Sequence, residues 1–518
     1  MSANTSKTIS AILALSVTLP VLCACNADIN PTNETSLPTT EATTTEETTT
    51  METTKETIPT ETPSMPLETA PDSTELDTTY VRLIDGVEPE MMNADYWIGE
   101  DDNVILMTDE EIAAYNYENR GNIIASDEET TYPHLDEFED TLDGDILRTF
   151  LNDNANSAPK DPSKYYLDGS ATNRAYWNEL IKLSNIDAVP DVIEVQYGFT
   201  VKRMTLRLFP TEDRVFDSTD DQYYDSILYS ECMPYMPCVV LHESSDQEYF
   251  YVVFDSYAAW VRKDAVALCN SREDWLARQN PDKWLVVTER EIRIGTNPYS
   301  PDTTDLVLPM GTQMELVPSD EAPFNIDQRT TYGNYIVKVP TIDEDGYIDN
   351  EYILIPVSDD VHVGFLPYTP ANIVRQAFKL LGDRYGWGGD LQANDCTGIT
   401  REVYRCFGIL LPRVKQSASK GVYSVDVSDM SDEEKLAEIE KLSPGSLIAF
   451  PGHMMIYLGM ADGVPYVISA VGSFVEPEPG PTEKIRPNSV IVNNLYVRRA
   501  SLKTWLESVT VILTIRPD

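Results

Sequence analysis

The last third of the chain combines helical and extended hydrophobic patterns. Between Ala371 and Leu381, one helical stripe of apolar residues occupies positions 373, 374, 377, 378 and 381, and Gly382 ends it. A second stripe, at positions 399, 403 and 407, ends at Gly408. Extended segments predict four strands: Ser446–Phe450, Met454–Leu458, Tyr466–Ser469 and Val509–Ile515. We therefore expect residues 369–518 to form an α+β domain in which a helix packs on an antiparallel sheet.

Two stretches of short strands precede this domain. Residues 191–285 and residues 286–368 both alternate between apolar and polar positions, with interruptions by Asp, Ser and Pro, which predicts two small barrels. The first set of predicted strands is Ile193–Tyr197, Thr200–Met204, Cys238–His242, Tyr249–Phe254 and Ala258–Val261. The second set is Trp284–Val287, Thr312–Leu316, Tyr335–Val339 and Tyr352–Pro356.

Residues 80–190 are predicted to be mainly helical. Thr108 followed by Glu111 has the spacing of a capping box, in which each side chain bonds the other residue's backbone N–H. A helix should therefore start at this point. Two further helices are expected around 142–152 and 173–184.

The N-terminus has the pattern of a secretory signal. Lys7 is followed by an uncharged, largely apolar run from Thr8 to Ala24, which is too short to be read first as a spanning helix. The run ends in Leu22-Cys23-Ala24-Cys25, which resembles the lipobox of bacterial lipoproteins. The resemblance implies that residues 1–25 contain a signal cleaved before Cys25, which is then lipidated. The alternative is an ordinary cleaved signal with an incidental cysteine.

Composition makes residues 26–79 a tether rather than a domain. The stretch from 31 to 75 is rich in Thr, Glu and Pro and nearly devoid of aromatic residues, so it cannot bury enough apolar surface to fold. The chain's formal net charge of -48 excludes nucleic acid as a natural partner and repels anionic lipid. A membrane anchor must therefore be covalent. We expect a monomer attached to the outer face of the bacterial cytoplasmic membrane.

Five cysteines remain once Cys23 and Cys25 are assigned to the signal and the anchor: Cys232, Cys238, Cys269, Cys396 and Cys406. An odd number leaves at least one thiol outside any intramolecular disulfide. Cys232 and Cys238 lie close enough in sequence to pair, but all five could equally be reduced.

Cys396 is the candidate nucleophile. It follows a glycine-rich loop and begins the second helical stripe, where unpaired backbone N–H groups and the positive helix end stabilise a thiolate. The same N–H groups could stabilise an oxyanion. The alternative is a buried structural cysteine.

A thiol nucleophile needs a base, and His453 is the only one of four histidines that follows Cys396. It opens a predicted strand directly after a glycine turn. His134, His242 and His362 are isolated and show no metal-ligand spacing, so neither a metal nor another cofactor is expected.

These features together resemble the NlpC-type cell-wall cysteine peptidases, a papain-like family. The resemblance over roughly 371–518 rests on four motifs in family order: Tyr385-Gly-Trp-Gly-Gly389, Asp395-Cys396-Thr-Gly398, Leu411-Pro-Arg413 and Gly452-His453-Met-Met-Ile-Tyr-Leu-Gly459. A subgroup with two bacterial SH3-like barrels resembles residues 80–368 through shorter pieces: Trp97-Ile98, Glu111-Ile-Ala-Ala-Tyr-Asn116, Thr205-Leu-Arg-Leu-Phe-Pro210 and Tyr257-Ala-Ala-Trp-Val261.

The resemblance implies cleavage of the bond between γ-D-glutamyl and the diamino acid of peptidoglycan stem peptides. Asp395, Trp387 and a barrel tyrosine, with Tyr257 as candidate, would then bind a substrate with a free N-terminal L-Ala. Tyr257 could equally be a barrel core residue. Ser469 stands where many members place a polar residue that orients the catalytic histidine, and is the expected third catalytic residue.

Two other functions remain open from the sequence. The domain could be a non-catalytic wall-binding scaffold, which a serine at position 469 would favour. It could also be an acyltransferase or amidase that uses the same Cys396–His453 pair.

Overall fold

The structure is a computed structural model that describes Leu76, Thr79 and residues 81–120, 123–412 and 422–516. The predicted signal, the candidate lipidation residue Cys25 and nearly all of the tether lie outside the described residues, as does Arg413. No helix in the described part of the chain combines the length and the hydrophobicity needed to cross a membrane.

The N-terminal segment contains three helices and four very short strands. Thr108 caps the first helix as predicted, because its hydroxyl accepts from Glu111 N at 3.3 Å and the Glu111 carboxylate accepts from Thr108 N at 2.8 Å. The helices are α1 (Asp109–Glu118), α2 (Gly144–Ser157) and α3 (Arg174–Leu183). The strands are β1 (Thr141–Asp143), β2 (Tyr166–Leu167), β3 (Ser170–Ala171) and β4 (Val192–Glu194), with β1 paired to β4 and β2 to β3.

This segment packs on two different parts of the molecule. The portion up to α1, including Trp97 and Ile112, buries its apolar side chains against the C-terminal domain. The portion from Tyr132 to Ile193 packs against the first barrel. The segment therefore links two modules, which its local helical pattern did not predict.

The first barrel is a seven-stranded antiparallel sheet in the order β11-β5-β8-β9-β10-β6-β7. Its strands are β5 (Gln196–Thr200), β6 (Met204–Arg207), β7 (Leu228–Cys232), β8 (Pro237–Glu243), β9 (Tyr249–Val253), β10 (Ala258–Arg262) and β11 (Val266–Leu268), followed by α4 (Arg272–Arg278). The strand predicted over Thr200–Met204 is wrong. The chain leaves the sheet after Thr200, whose hydroxyl bonds the Met233 carbonyl, and re-enters it at Met204.

The second barrel has a five-stranded sheet in the order β19-β18-β15-β12-β20 and two small hairpins. Its strands are β12 (Trp284–Val287), β13 (Glu291–Arg293), β14 (Val307–Pro309), β15 (Gln313–Leu316), β16 (Asn325–Ile326), β17 (Arg329–Thr330), β18 (Asn334–Ile342), β19 (Ile348–Pro356) and β20 (Val361–Val363).

The C-terminal domain confirms the predicted α+β layout, with helices on both faces of a six-stranded antiparallel sheet in the order β21-β28-β22-β23-β24-β27. The helices are α5 (Pro370–Lys379), α6 (Cys396–Arg405), α7 (Asp432–Ile439) and α8 (Trp505–Ser508). The strands are β21 (Val422–Asp426), β22 (Leu447–Phe450), β23 (His453–Ala461), β24 (Val464–Val471), β25 (Phe474–Val475), β26 (Lys484–Ile485), β27 (Ser489–Asn494) and β28 (Val511–Ile515).

Two apolar cores hold this sheet. Helices α5 and α6 cover one face, where Val374 and Val403 pack with Ile456 and Ile468. Helices α7 and α8 cover the other face, where Ile439 and Leu506 pack with Val467 and Ile512. The sheet is thus fixed on both sides, and the start of α6 and the start of β23 become rigid positions for chemistry.

Candidate active site

A tightly folded loop, residues 382–395, leads into the candidate nucleophile. We call it the catalytic loop. It closes through backbone bonds such as Gly386 N to Asn394 O at 3.0 Å. Gly388 and Gly389 have φ angles of 59° and 92°, in the left-handed region that glycine adopts easily. A Cβ on Gly386 would lie 2.1 Å from the Asp390 carbonyl oxygen, so the close approach also requires glycine there.

Asp395 caps the helix that carries Cys396. Its Oδ1 accepts from Thr397 N at 3.0 Å and from Gly398 N at 2.8 Å, and its Oδ2 accepts from Gly388 N at 3.1 Å. The carboxylate is 4% exposed, so it connects the catalytic loop to the first turn of α6. These bonds engage the Thr397 and Gly398 N–H groups, and stabilisation of an oxyanion by the start of the helix stays a prediction. The role of Asp395 in substrate binding stays a prediction.

His453 is the first residue of β23, and its ring is tightly enclosed. Its Nε2 lies 3.1 Å from the hydroxyl of the fully buried Ser469 on β24. The ring packs edge-on against Trp505, with 4.8 Å between centroids, and against Phe450 at 5.4 Å. These contacts fix the orientation of the imidazole.

The surroundings of His453 keep its imidazole neutral. Burial and the Arg499 guanidinium together lower the pKa of His453 to about 3, although the Asp395 carboxylate acts to raise it. A neutral ring can accept a proton at neutral pH. Because the Asp395 carboxylate affects the pKa of His453, Asp395 lies within electrostatic range of the imidazole, and Asp395 directly precedes Cys396 in the sequence.

Helix α6 lies directly on the strands that carry His453 and Ser469. Thr400 lies one helical turn after Cys396, and its hydroxyl is 3.6 Å from the sulfur of Met454. Met454 directly follows His453 in the sequence. The start of the helix and the start of the strand therefore meet, and Cys396 itself is half-buried. The structure thus brings together Cys396, Asp395, His453 and Ser469.

Three aromatic rings form a wall at the catalytic loop. Trp387 and Tyr385 of the catalytic loop lie 5.7 Å and 5.9 Å from Tyr224 of the first barrel. A Cβ on Gly472 would lie 2.0 Å from the Tyr224 hydroxyl oxygen, so Tyr224 reaches the backbone just after β24. Sequence reasoning missed Tyr224, because no local pattern marks a loop residue that becomes important only through a distant contact.

Tyr257, the barrel tyrosine predicted from the sequence to bind substrate, lies elsewhere. Its side chain is 1% exposed in the core of the first barrel. Its hydroxyl donates to the Glu231 carbonyl at 3.1 Å and accepts from the Arg401 guanidinium at 3.1 Å. The structure therefore favours the core interpretation that the sequence left open, and Tyr224 takes its place beside the catalytic loop.

The remaining cysteines are structural in this conformation. Cys232, Cys238 and Cys406 are fully buried, Cys269 is nearly so, and none of the five cysteines in the described residues takes part in a disulfide. Burial raises the pKa of the Cys232 and Cys269 thiols to about 12. Within the same residues, no three His, Cys, Asp or Glu side chains are grouped so that they could hold a metal ion.

A cysteine at a helix N-terminus, next to a histidine oriented on an antiparallel sheet, defines the papain-like class of thiol hydrolase folds. The sequence model of the NlpC/P60 family matches residues 382–471, which include Cys396, His453 and Ser469. That of the SH3 domain, SH3b1 type, matches residues 214–262, which include Tyr224. The chain therefore contains an NlpC/P60 domain, as its motifs predicted, together with an SH3 domain.

The chain is also similar to solved structures. A structure described as a novel NlpC/P60 endopeptidase from Photobacterium damselae subsp. piscicida superposes with a TM-score of 0.60 at 15% identity, covering 82% of this chain and 97% of that one. An NlpC/P60 family protein from Bacillus cereus gives a TM-score of 0.41 at 15% identity, covering 62% of this chain and 100% of that one. None of the curated proteins compared with the chain matches it significantly.

Proposed function

We propose that the protein is a cysteine peptidase of the cell-wall hydrolase kind, which cuts the γ-D-glutamyl–diamino acid bond of peptidoglycan stem peptides. One observation carries the proposal: Cys396 starts a capped helix that packs on strand β23, where Ser469 orients His453. A wall-binding scaffold would need neither a base nor its orienting hydroxyl.

The chemistry uses His453 first as a base and then as an acid. With its Nε2–H donating to Ser469, Nδ1 takes the proton of the Cys396 thiol while the sulfur bonds to the γ-carbonyl carbon. When the tetrahedral intermediate collapses, the C–N bond breaks and the amine of the diamino acid leaves with the proton from His453. A water molecule then loses a proton to His453, attacks the thioester and releases the carboxylic acid and the thiol.

The aromatic wall supports the choice of a short, free-amine substrate. Trp387 and Tyr224 pack against each other beside the catalytic loop, and Asp395 carries a nearly buried negative charge directly before Cys396 in the sequence. An ammonium group near Asp395 would compensate that charge, whereas an amide-linked L-Ala would not. We therefore propose that the enzyme prefers peptides whose N-terminal L-Ala is free.

Attachment to the membrane through Cys25 is part of the same proposal and rests on the lipobox-like Leu22-Cys23-Ala24-Cys25. The acidic tether would then hold the domains away from the membrane surface. Cys25→Ala should move the protein from the membrane fraction to the aqueous fraction. Unchanged partitioning would rule out lipidation at this residue.

The test is hydrolysis of purified L-Ala-γ-D-Glu-diamino acid tripeptide, followed by mass spectrometry of the products. We expect the wild-type protein to release L-Ala-D-Glu and the diamino acid, and Cys396→Ala to release neither. An N-acetylated tripeptide is the matched control for specificity, and it should be cut much more slowly. Equal rates on both peptides would refute the free-amine preference, and no hydrolysis of either would refute the peptidase.

A further inference from the structure

An arginine of the first barrel reaches the segment immediately before the nucleophile. Arg203 lies in the turn between β5 and β6, and its side chain is only 8% exposed. Its guanidinium donates to the carbonyls of Gln392 at 3.2 Å and Ala393 at 3.0 Å, and to the side-chain oxygen of Asn394 at 3.1 Å. These are the three residues that precede Asp395 and Cys396.

The backbone that Arg203 holds is strained. Leu391 and Gln392 have φ angles of 60° and 55°, the left-handed region that residues with a Cβ rarely adopt. Both side chains are exposed, so no apolar packing of their own secures this conformation. Such a backbone conformation persists only where its surroundings hold it. Here the Gln392 and Ala393 carbonyls accept hydrogen bonds from Arg203 of the first barrel.

A second residue of the first barrel completes the contact. Glu231 accepts from Arg203 Nε at 2.6 Å and packs so closely on the catalytic loop that a Cβ on Gly389 would lie 2.5 Å from it. Asn394 in turn donates to Glu402 of α6 at 2.8 Å. Barrel, catalytic loop and nucleophile helix are thus joined by one buried network.

We propose that Arg203 is a positioning residue, through which the docked first barrel sets the catalytic loop and hence the reactivity of the Cys396 thiol. This role rests on the proposed catalytic function of Cys396. A shift of the loop would displace Asp395, which caps α6 and raises the pKa of His453. Small displacements of reacting groups have large effects on rate.

The experiment measures alkylation of Cys396 by iodoacetamide at neutral pH in the full-length protein. Trypsin releases Cys396 in the peptide 385–401, which contains no other cysteine, and Cys406 in the peptide 406–413. Because Cys406 is fully buried in the native fold, its labelling reports unfolding in the same sample. The method needs no substrate, so it is independent of the proposed peptidase activity.

Three variants separate positioning from general stability. Arg203→Ala removes the donors, and Arg203→Met combined with Glu231→Gln removes them without leaving the Glu231 carboxylate unpaired. Arg272→Ala is the matched control, because Arg272 donates to two carbonyls of the N-terminal segment, Phe138 and Asp136, at 2.8 Å and 2.6 Å.

We expect alkylation of Cys396 to slow about tenfold to a hundredfold in both Arg203 variants while Cys406 stays protected. Guanidinium at non-denaturing concentration should restore part of the rate in Arg203→Ala. The Arg272→Ala variant should label at the wild-type rate. A rate within about twofold of wild type in the folded double variant, or an equal loss in Arg272→Ala, would overturn the proposal. Slower labelling in a protein that never cuts the tripeptide would reject the peptidase and leave the positioning role standing.

Discussion

The two barrels meet the C-terminal domain through different sets of contacts. The first barrel contacts the catalytic loop through Arg203, the ion pair of Arg214 with Asp390, and the tilted ring contact of Tyr224 with Trp387. These contacts lie within ten residues of Cys396. The first barrel is therefore part of the site.

The second barrel contacts the C-terminal end of α5, the second residue of the catalytic loop and helix α6. Lys379 of α5 donates to the Thr288 carbonyl at 2.8 Å, and Arg290 pairs with Asp383 at 2.9 Å. Gly311 approaches α6 so closely that a Cβ would lie 2.9 Å from the Glu402 carbonyl oxygen. The second barrel therefore supports α5, the start of the catalytic loop and α6, whereas the first barrel contacts the segment directly before Cys396.

Loss of the proposed catalytic base should have the largest effect on the rate of tripeptide hydrolysis. The effects of barrel variants can be compared with it. His453→Ala removes both the activation of the thiol and the proton for the leaving amine, so the rate on the tripeptide should fall about a hundredfold to ten thousandfold. His362→Ala is the matched control, since His362 lies in the second barrel with its Nδ1 on the Gly364 carbonyl. It should leave the rate unchanged. A His453→Ala variant with more than about a tenth of wild-type activity would exclude this residue as the base.

The orienting hydroxyl should matter less than the base. Ser469→Ala removes the contact with His453 Nε2 but no proton acceptor, so we expect kcat to fall roughly tenfold to a hundredfold. Ser469→Thr keeps a hydroxyl and serves as the comparison. Steady-state rates of the folded variants decide the question. Unaltered kcat in Ser469→Ala would remove Ser469 from the catalytic group.

Matched tyrosine variants test the barrels directly. Tyr224→Ala in the first barrel opens the wall beside Trp387 and should lower kcat/KM on the tripeptide about tenfold. Tyr332→Ala in the second barrel removes a ring that is 75% exposed and should change nothing. If both variants lose the same activity, or neither loses any, the division of roles between the barrels is wrong.

A smaller effect concerns stability at the interface of the first barrel with α6. Burial raises the pKa of Glu402 to about 7, while Arg203 opposes the shift. The folded state therefore binds more protons than the unfolded state from about pH 4.5 to 7, and this group's contribution to stability falls as the pH rises through that window.

The variant Glu402→Gln should accordingly be more stable than wild type above pH 7, by on the order of 1–3 kcal/mol, with a flatter pH dependence. Denaturant unfolding at pH 5 and pH 8 measures the difference. Arg290→Ala, which breaks the half-exposed pair of the second barrel, is the comparison and should change stability by less than about 1 kcal/mol. A Glu402→Gln variant with the wild-type pH dependence would refute the raised pKa assigned to Glu402.

The parts of the site that depend on local sequence patterns could be predicted from the sequence. Periodicity placed α6, and the glycine loop and glycine turn marked Cys396 and His453. The wrong strand over Thr200–Met204 shows the limit, because alternation there is overridden by a turn that carries Arg203 into the catalytic loop. Arg203 and Ala393 are 190 residues apart. No periodicity reports such a contact, and the capping role of Asp395 likewise depends on the loop that folds back over it.

Trapping the covalent intermediate is the most direct measurement of the proposed chemistry. The protein would be quenched in acid during turnover of L-Ala-γ-D-Glu-diamino acid, and its tryptic peptides examined by mass spectrometry. We predict that peptide 385–401 of the wild type carries an L-Ala-γ-D-Glu acyl group on Cys396. Turnover with an unmodified Cys396 at every quench time, or an acyl group on another cysteine, would contradict Cys396 as the nucleophile.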